Sequence, residues 1–235
     1  MTKLHNPHIL HNAAWHNAAW HNAAPRGLKL GLAAIVALAV TGCGDLLNTG
    51  PPPTFYTLSP KSTFAPDLPE VTWQLVVEQP LSSGTLATQR IALNHNPVQI
   101  EYFAGARWTE QAPRLVQTLL VESFENSNKI VAVGRMAIGL RSDFNLKSEL
   151  REFQAEYGKE GEPPTIRVRV NTKLIQQAKR QIIASRTFES LIQAEDTSMR
   201  AIVGAFDRAL GKVIKKIVGW TLTTGAATPI KRRRS

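Results

Sequence analysis

The pattern of hydrophobic and polar positions predicts several short strands along the chain. Ile166, Val168 and Val170 alternate with two arginines, so one face of this segment is apolar and the other is charged. Two other apolar runs flank the turn-like sequence Asn94-His95-Asn96-Pro97, which predicts a hairpin. The predicted extended segments are Phe55 and Tyr56, Trp73 to Glu78, Arg90 to Leu93, Val98 to Phe103, Ile130 to Val133 (buried), Ile166 to Val170 and Gln181 to Phe188.

Two segments follow a helical period instead. Ala112 to Phe124 has its apolar residues on one face, and Pro113 suits a first turn. The second helix starts at the acidic pair Glu195 and Asp196 and is expected to end near Trp220. Its apolar stripe consists of Ile202, Phe206, Leu210, Val213 and Ile217. The sequence therefore predicts an α+β fold, a single mixed or antiparallel sheet of about six or seven strands with two amphipathic helices on one face.

The segment from Asp143 to Tyr157 is ambiguous. Leu146, Leu150, Phe153 and Tyr157 fit one helical face, whereas strand alternation holds only in pieces. Its carboxylates raise a general acid/base hypothesis, but basic residues are interspersed with them, which favours a solvated charged face. The carboxylates are Glu149, Glu152 and Glu156, and the basic residues are Lys147 and Arg151.

A lipoprotein signal is predicted at the N-terminus. The apolar run Leu28 to Val40 follows Arg26, and Thr41, Gly42 and Cys43 come directly after it. The run is shorter than the roughly 20 residues that span a bilayer, and it lacks the amphipathic stripe of a core helix. We therefore expect cleavage between Gly42 and Cys43, with a diacylglycerol and an N-acyl chain on Cys43 and no other cofactor.

Cleavage at Cys43 would remove most candidate catalytic and metal-binding side chains. Five of the six histidines precede it, within and beside a repeat of His-Asn-Ala-Ala over residues 11–25. Only His95 would remain, and the sole cysteine would be acylated, so no Cys/His zinc set is available. No phosphate-binding glycine loop occurs either. The sequence predicts no catalytic, metal or cofactor site, and a hydrolase would have to use His95.

Charge excludes a nucleic-acid groove. The whole chain carries a formal +10, but Lys3, Arg26 and Lys29 precede Cys43, which leaves 25 basic and 18 acidic residues after it. Four of these positive charges form the C-terminal run Lys231, Arg232, Arg233 and Arg234. Without that run the net charge is about +3, too low for a nucleic-acid groove. The run itself predicts either a solvated, disordered end or a contact with anionic lipid head groups.

The composition divides the chain into four parts. Residues 1–42 are the predicted signal peptide with its low-complexity repeat, and residues 43–69 are a lipidated tether rich in proline. Residues 70–222 form the α+β domain, and residues 223–235 form a basic disordered tail.

An ordered series of short motifs after Cys43 resembles the ABC-type transport auxiliary lipoprotein family, the family of paraquat-inducible protein C. The motifs are Phe55-Tyr56-Thr57-Leu58, Arg90-Ile91, Ile100 to Ala104 with Arg107-Trp108, Leu146 to Phe153, Ala184 to Phe188, and Ala205-Phe206-Asp207 running to Trp220. The resemblance implies that the ambiguous segment is a strand, against its helical period. It also implies a non-enzymatic accessory role in lipid transport, with an MCE-domain protein and an ABC permease and ATPase as partners, and a homo-oligomer.

The resemblance and the anchor suggest a place in the envelope of a Gram-negative bacterium. Gly44 follows the predicted lipidated cysteine, with Asp45 one place later, which favours the outer membrane over the inner membrane. The alternative function is a free-standing periplasmic carrier of lipid or another ligand. A carrier would require an apolar pocket inside the domain, whereas an accessory subunit would require a docking surface.

Overall fold

The computed structural model describes residues 51–136, 142–159 and 161–230. Within these ranges the chain forms nine strands and two helices. The strands are β1 (Thr54–Tyr56), β2 (Val71–Val77), β3 (Leu81–Ser82), β4 (Arg90–Asn96), β5 (Gln99–Trp108), β6 (Ile130–Gly134), β7 (Phe144–Glu156), β8 (Thr165–Gln176) and β9 (Gln181–Gln193). The helices are α1 (Ala112–Asn126) and α2 (Met199–Ala226).

Strand β7 lies at the centre of the mixed sheet. One edge of β7 pairs in parallel with β2, β3 and β4 in succession, and the other edge pairs with β8 in antiparallel orientation over its full length. The sheet continues through β4 to β5 and β1, through β2 to β6, and through β8 to β9. The predicted β4–β5 hairpin is antiparallel, and so is the pair β8–β9.

A register shift in β7 explains the ambiguous pattern of this segment. Leu150 pairs with Val170, but the next paired residue is Glu152, so Arg151 is an extra residue in the strand. Side chains alternate between faces along a strand, and one extra residue moves the alternation by one position. Leu150 and Phe153 are therefore both buried although they are three residues apart. The helical period is wrong as a prediction, and the strand implied by the family resemblance is confirmed.

The core lies between the sheet and the two helices. Helix α1 contacts β2 and β6, α2 contacts β8 and β9, and the helices contact each other. Trp108, Phe153 and Phe206 meet at its centre with ring centroids 5.0–5.5 Å apart. The α2 stripe predicted from the sequence is confirmed, since its members are all buried: Ile202, Phe206, Leu210, Val213 and Ile217.

The α+β class is confirmed, but the sheet has nine strands where the sequence predicts six or seven. Two of the nine are the short β1 and β3, and β3 has too few residues to leave a pattern. Helix α2 continues past Trp220 to Ala226, because Thr221, Leu222 and Gly225 are still buried against the core.

Two local predictions also need correction. Strand β6 is not buried as predicted, and Val131 is 78% exposed, because among the described strands β6 lies at a sheet edge and bonds only to β2. In the hairpin, β4 continues through His95 and Asn96, so the turn consists of Pro97 and Val98. Among helices of the described residues, none has the length and apolar character to cross a bilayer.

A buried glycine of α2 provides a test of the packing between helix and sheet. A Cβ at Gly225 would lie 2.4 Å from Cζ2 of Trp73, whose ring is held in edge contact with Phe144 at 5.0 Å. Gly225→Ala is expected to lower the free energy of unfolding by roughly 1–3 kcal/mol, because the buried indole has to move. Urea unfolding followed by tryptophan fluorescence measures the change.

Gly211→Ala is the matched control on the same helix. The nearest heavy atom to its added Cβ is Cδ of Lys61 at 3.9 Å, an ordinary contact. Alanine is the better helix former, so this variant is expected to gain up to about 1 kcal/mol. A destabilisation of similar size in both variants would contradict a specific contact at Gly225.

Candidate functional site

An open groove of about 500 Å³ lies between the β4–β5 hairpin and the end of β7. We call it the hairpin groove and define it by Asn94, His95, Glu152, Glu156, Tyr157 and Arg167, all of which line it. The parallel pairing of β4 with β7 brings Asn94 beside Glu156, and the antiparallel pairing of β7 with β8 places Arg167 next to Gln154. Strands β4, β7 and β8 therefore build one site, although β4 ends about 50 residues before β7 begins.

Arg167 is the centre of a charged network in the hairpin groove. Its Nε donates to Glu156 Oε1 at 2.8 Å, and its Nη1 donates to Glu189 Oε1 at 2.7 Å. Glu152 Oε2 lies 3.3 Å from the same Nε, and Arg169 donates to the other oxygen of Glu152. Two guanidinium groups thus hold three carboxylates, and all five side chains are partly buried.

The hydrogen bonds to Glu156 and then Glu189 raise the pKa of the Arg167 guanidinium above its ordinary value. An arginine already carries its charge at neutral pH, so the shift fixes that charge more firmly. The network has a nearly balanced charge and fixed orientations. Its chemistry suits recognition through hydrogen bonds better than proton transfer, which needs a group with a pKa near the working pH.

The two rings in the hairpin groove are stacked on each other. His95 and Tyr157 have their centroids 4.9 Å apart and their planes 30° apart, and Phe103 lies 6.4 Å from the Tyr157 ring. Burial raises the pKa of the Tyr157 hydroxyl, which therefore stays neutral at physiological pH. Within the described residues, His95 has no hydrogen bond to a hydroxyl or a carboxylate of the kind a nucleophilic site uses.

An apolar side chain stands at the rim of the hairpin groove. Val98, in the hairpin turn, is 94% exposed, and its backbone N–H donates to Asn96 Oδ1 at 3.1 Å. Ile100, on the following strand, lines the groove and is also exposed. An ordered turn that presents an aliphatic side chain next to fixed charges can dock on another protein.

The predicted carboxylates fall into two environments. Glu149 is exposed and pairs with Arg151 at 2.8 Å, as expected of a solvated face. Glu152 and Glu156 are instead partly buried and belong to the Arg167 network. No group of three or more His, Cys, Asp or Glu side chains in the described part of the chain is arranged to hold a metal ion.

The predicted lipidation and cleavage residues Gly42 and Cys43 lie outside the described residues, as does the basic run Lys231 to Arg234. Sequence reasoning missed Arg167 and Glu189 as site residues. The signal was present, because arginines alternate with valines and isoleucine on β8. It could be used only with the pairing of β7, β8 and β9 in hand.

The domain has an α+β fold with a core filled by side chains, and its hairpin groove is open at the surface. The chain belongs to a family described as the ABC-type transport auxiliary lipoprotein component, which matches residues 56–218. The resemblance noted in the sequence is confirmed. By its description, this is a family of lipoprotein components that are auxiliary to ABC-type transport.

Two solved structures are similar to this chain in fold, and one curated protein is similar to it in sequence. Protein XCC0632 from Xanthomonas campestris, of family DUF330, is 33% identical with a TM-score of 0.70, over 74% of this chain and 97% of that one. An uncharacterized protein of known structure is 17% identical with a TM-score of 0.57, over 72% and 97% of the two chains. Protein bll6063 of Bradyrhizobium diazoefficiens is 26% identical over 71% of this chain. The matched region covers 44% of the length of that protein.

Arg167→Gln tests whether the network is held by one cation. Removing the guanidinium leaves Glu152, Glu156 and Glu189 partly buried with one arginine between them. We expect the free energy of unfolding to fall by about 2 kcal/mol, since a desolvated carboxylate that loses its partner is destabilising. Urea denaturation of the purified protein in mild detergent gives the value.

Arg151→Gln is the control within the same groove. Arg151 also makes an ion pair, but both partners are largely exposed, so its loss is expected to cost less than about 1 kcal/mol. Equal losses in the two variants would show that Arg167 has no special part in the network.

Proposed function

We propose that this protein is a non-enzymatic accessory subunit of an ABC transporter that works with an MCE-domain protein to move lipid across the envelope. A diacylglycerol and an N-acyl chain on Cys43 would hold it at the outer membrane, facing the periplasm. Energy would come from the ATPase of the partner complex. The observation that carries the proposal is the family match over residues 56–218, which covers nearly all of the described domain.

The packing of the domain favours docking over the carriage of a lipid. Trp108, Phe153 and Phe206 fill the centre of the core, and each is at most 1% exposed. Two open grooves in the described part of the chain, of about 500 and 650 Å³, are lined mainly by polar residues. A lipid chain needs an apolar cavity, so these grooves do not suit a carrier.

The hairpin turn is the proposed contact with the transporter subunits. Val98 protrudes at the rim of the hairpin groove, and the Arg167 network offers oriented hydrogen-bond groups behind it. Exposed apolar side chains beside ordered polar groups are typical of a docking surface.

Val98→Asp should separate the transporter partners from the protein. A charge at the centre of an apolar contact must be desolvated, so we expect at least about tenfold less MCE-domain protein and permease in the co-purified material. Extraction in mild detergent, affinity capture and quantitative mass spectrometry of those named subunits measure the loss.

Val131→Asp is the control, because Val131 is 78% exposed on β6, an edge strand apart from the hairpin. Both substitutions are at surface positions and should change stability by less than about 0.5 kcal/mol. The hairpin assignment is wrong if both variants keep their partners, or if only Val131→Asp loses them.

A free sheet edge supports the proposed homo-oligomer. Among the described strands, β9 bonds only to β8, so the other edge of its 13 residues presents unpaired backbone groups. Ile182 and Leu191 are about half exposed on this strand. Such an edge can pair with a strand of another subunit.

Cys43→Ala tests the anchor. Without the thiol no diacylglycerol can be attached, so the protein is expected to leave the membrane fraction for the soluble fraction. Fractionation with immunodetection measures the distribution. For the protein without the substitution, the intact mass should include the added acyl chains and lack residues 1–42. If the variant stayed in the membrane, the apolar segment Leu28 to Val40 would be the anchor.

A further inference from the structure

A second groove, of about 380 Å³, lies on the outer side of α2, where the segment from Ser59 to Ser62 crosses the helix. Its lining includes Lys61 from that segment and Arg208, Lys212 and Lys215 from the helix. We call it the lysine groove and define it by these four residues and Asp207. It is separate from the hairpin groove and shares no lining residue with it.

The crossing segment is held in place on both sides of Lys61. The N–H of Ser59 donates to Asp207 Oδ1 at 2.6 Å, and the N–H of Lys61 donates to Ser123 Oγ at 2.9 Å. Asn126 Nδ2 donates to the Lys61 carbonyl oxygen at 3.2 Å. The Lys61 stem lies beside Gly211 of the helix, with its Cδ 3.9 Å from the position a Cβ would take there. The backbone therefore fixes one cation beside those of α2.

The lysine groove carries an excess of positive charge, since its four cations face two carboxylates, Asp207 and Glu195. Arg208 has a carboxylate partner, Glu195 Oε1, at 3.0 Å, and Asp207 is engaged by the backbone of Ser59. Lys61, Lys212 and Lys215 have no carboxylate within ion-pair distance in the described ranges. Gathered like charges repel one another, and an anion in the groove would remove that repulsion.

We propose that the lysine groove binds the phosphate of an anionic lipid head group in the membrane that carries the anchor. The ammonium groups are opposite in sign to the single negative charge of a phosphodiester, and a lysine beside an anionic bilayer gains about fivefold in affinity. The chain from the predicted acylated Cys43 to Thr54 can extend at most about 40 Å, and the groove begins shortly after β1. The anchor would thus keep the groove within reach of head groups.

The proposal uses the predicted anchor but not the transporter role. A second contact with the bilayer would orient the domain, whereas a single tether leaves it free to rotate.

Native mass spectrometry of the full-length acylated protein in detergent tests the proposal, with phosphatidylglycerol and phosphatidylcholine as probes. The double variant Lys212→Gln/Lys215→Gln is expected to bind phosphatidylglycerol about 30-fold more weakly, with phosphatidylcholine unchanged. The control, Lys173→Gln/Lys179→Gln, removes two exposed lysines outside the groove and should change binding less than about twofold. Unchanged binding in the groove variant, or equal weakening in the control, overturns the proposal.

Two further arms identify the occupant. Inorganic phosphate, compared with chloride at equal ionic strength, should not displace the lipid; displacement would assign the groove to free phosphate.

In vesicles with phosphatidylglycerol, acetylation of Lys61, Lys212 and Lys215 should slow relative to Lys173 and Lys179. Equal labelling with and without the anionic lipid would rule out contact with the membrane. A groove variant that loses MCE-domain protein but keeps lipid selectivity would assign the face to a protein.

Discussion

Strand β7 is the element on which the rest of the sheet depends. Its 13 residues bond to β2, β3 and β4 along one edge and to β8 along the other, so four strands take their positions from it. The inward side chains of β7 meet α2 through Phe153 and Phe206, whose rings are 5.0 Å apart. Its opposite face presents Glu152 and Glu156 to Arg167. The same strand therefore sets the core and the hairpin groove.

The extra residue in β7 shows where sequence reasoning succeeds and where it fails. Uninterrupted segments such as β8 and α2 keep one period, and their type was predictable from the sequence. In β7 the inserted Arg151 joins two stretches of alternation that are out of phase, and the apolar spacing then imitates a helix. Only the pairing of β7 with β8, which cannot be read from the local pattern, distinguishes this bulged strand from a helix.

The candidate site was less predictable than the fold. Glu152 and Glu156 could be singled out by type, but their partners come from β8 and β9, and no local pattern specifies which strands are neighbours. The lysine groove has the same origin, since Lys61 lies about 150 residues before Lys212. Hydrogen bonds from Ser59 and Lys61 to side chains of two helices bring them together.

The two grooves differ in electrostatics, and this difference assigns them different partners. In the hairpin groove each guanidinium already has carboxylates as partners, so a free ion would have to compete with fixed ion pairs. The docking that we propose there would depend on shape and on the exposed Val98. In the lysine groove Lys61, Lys212 and Lys215 lack such partners within the described ranges, and their affinity for an anion requires no prior bond to break. A domain with a filled core can thus contact a protein on one surface and a charged bilayer on another.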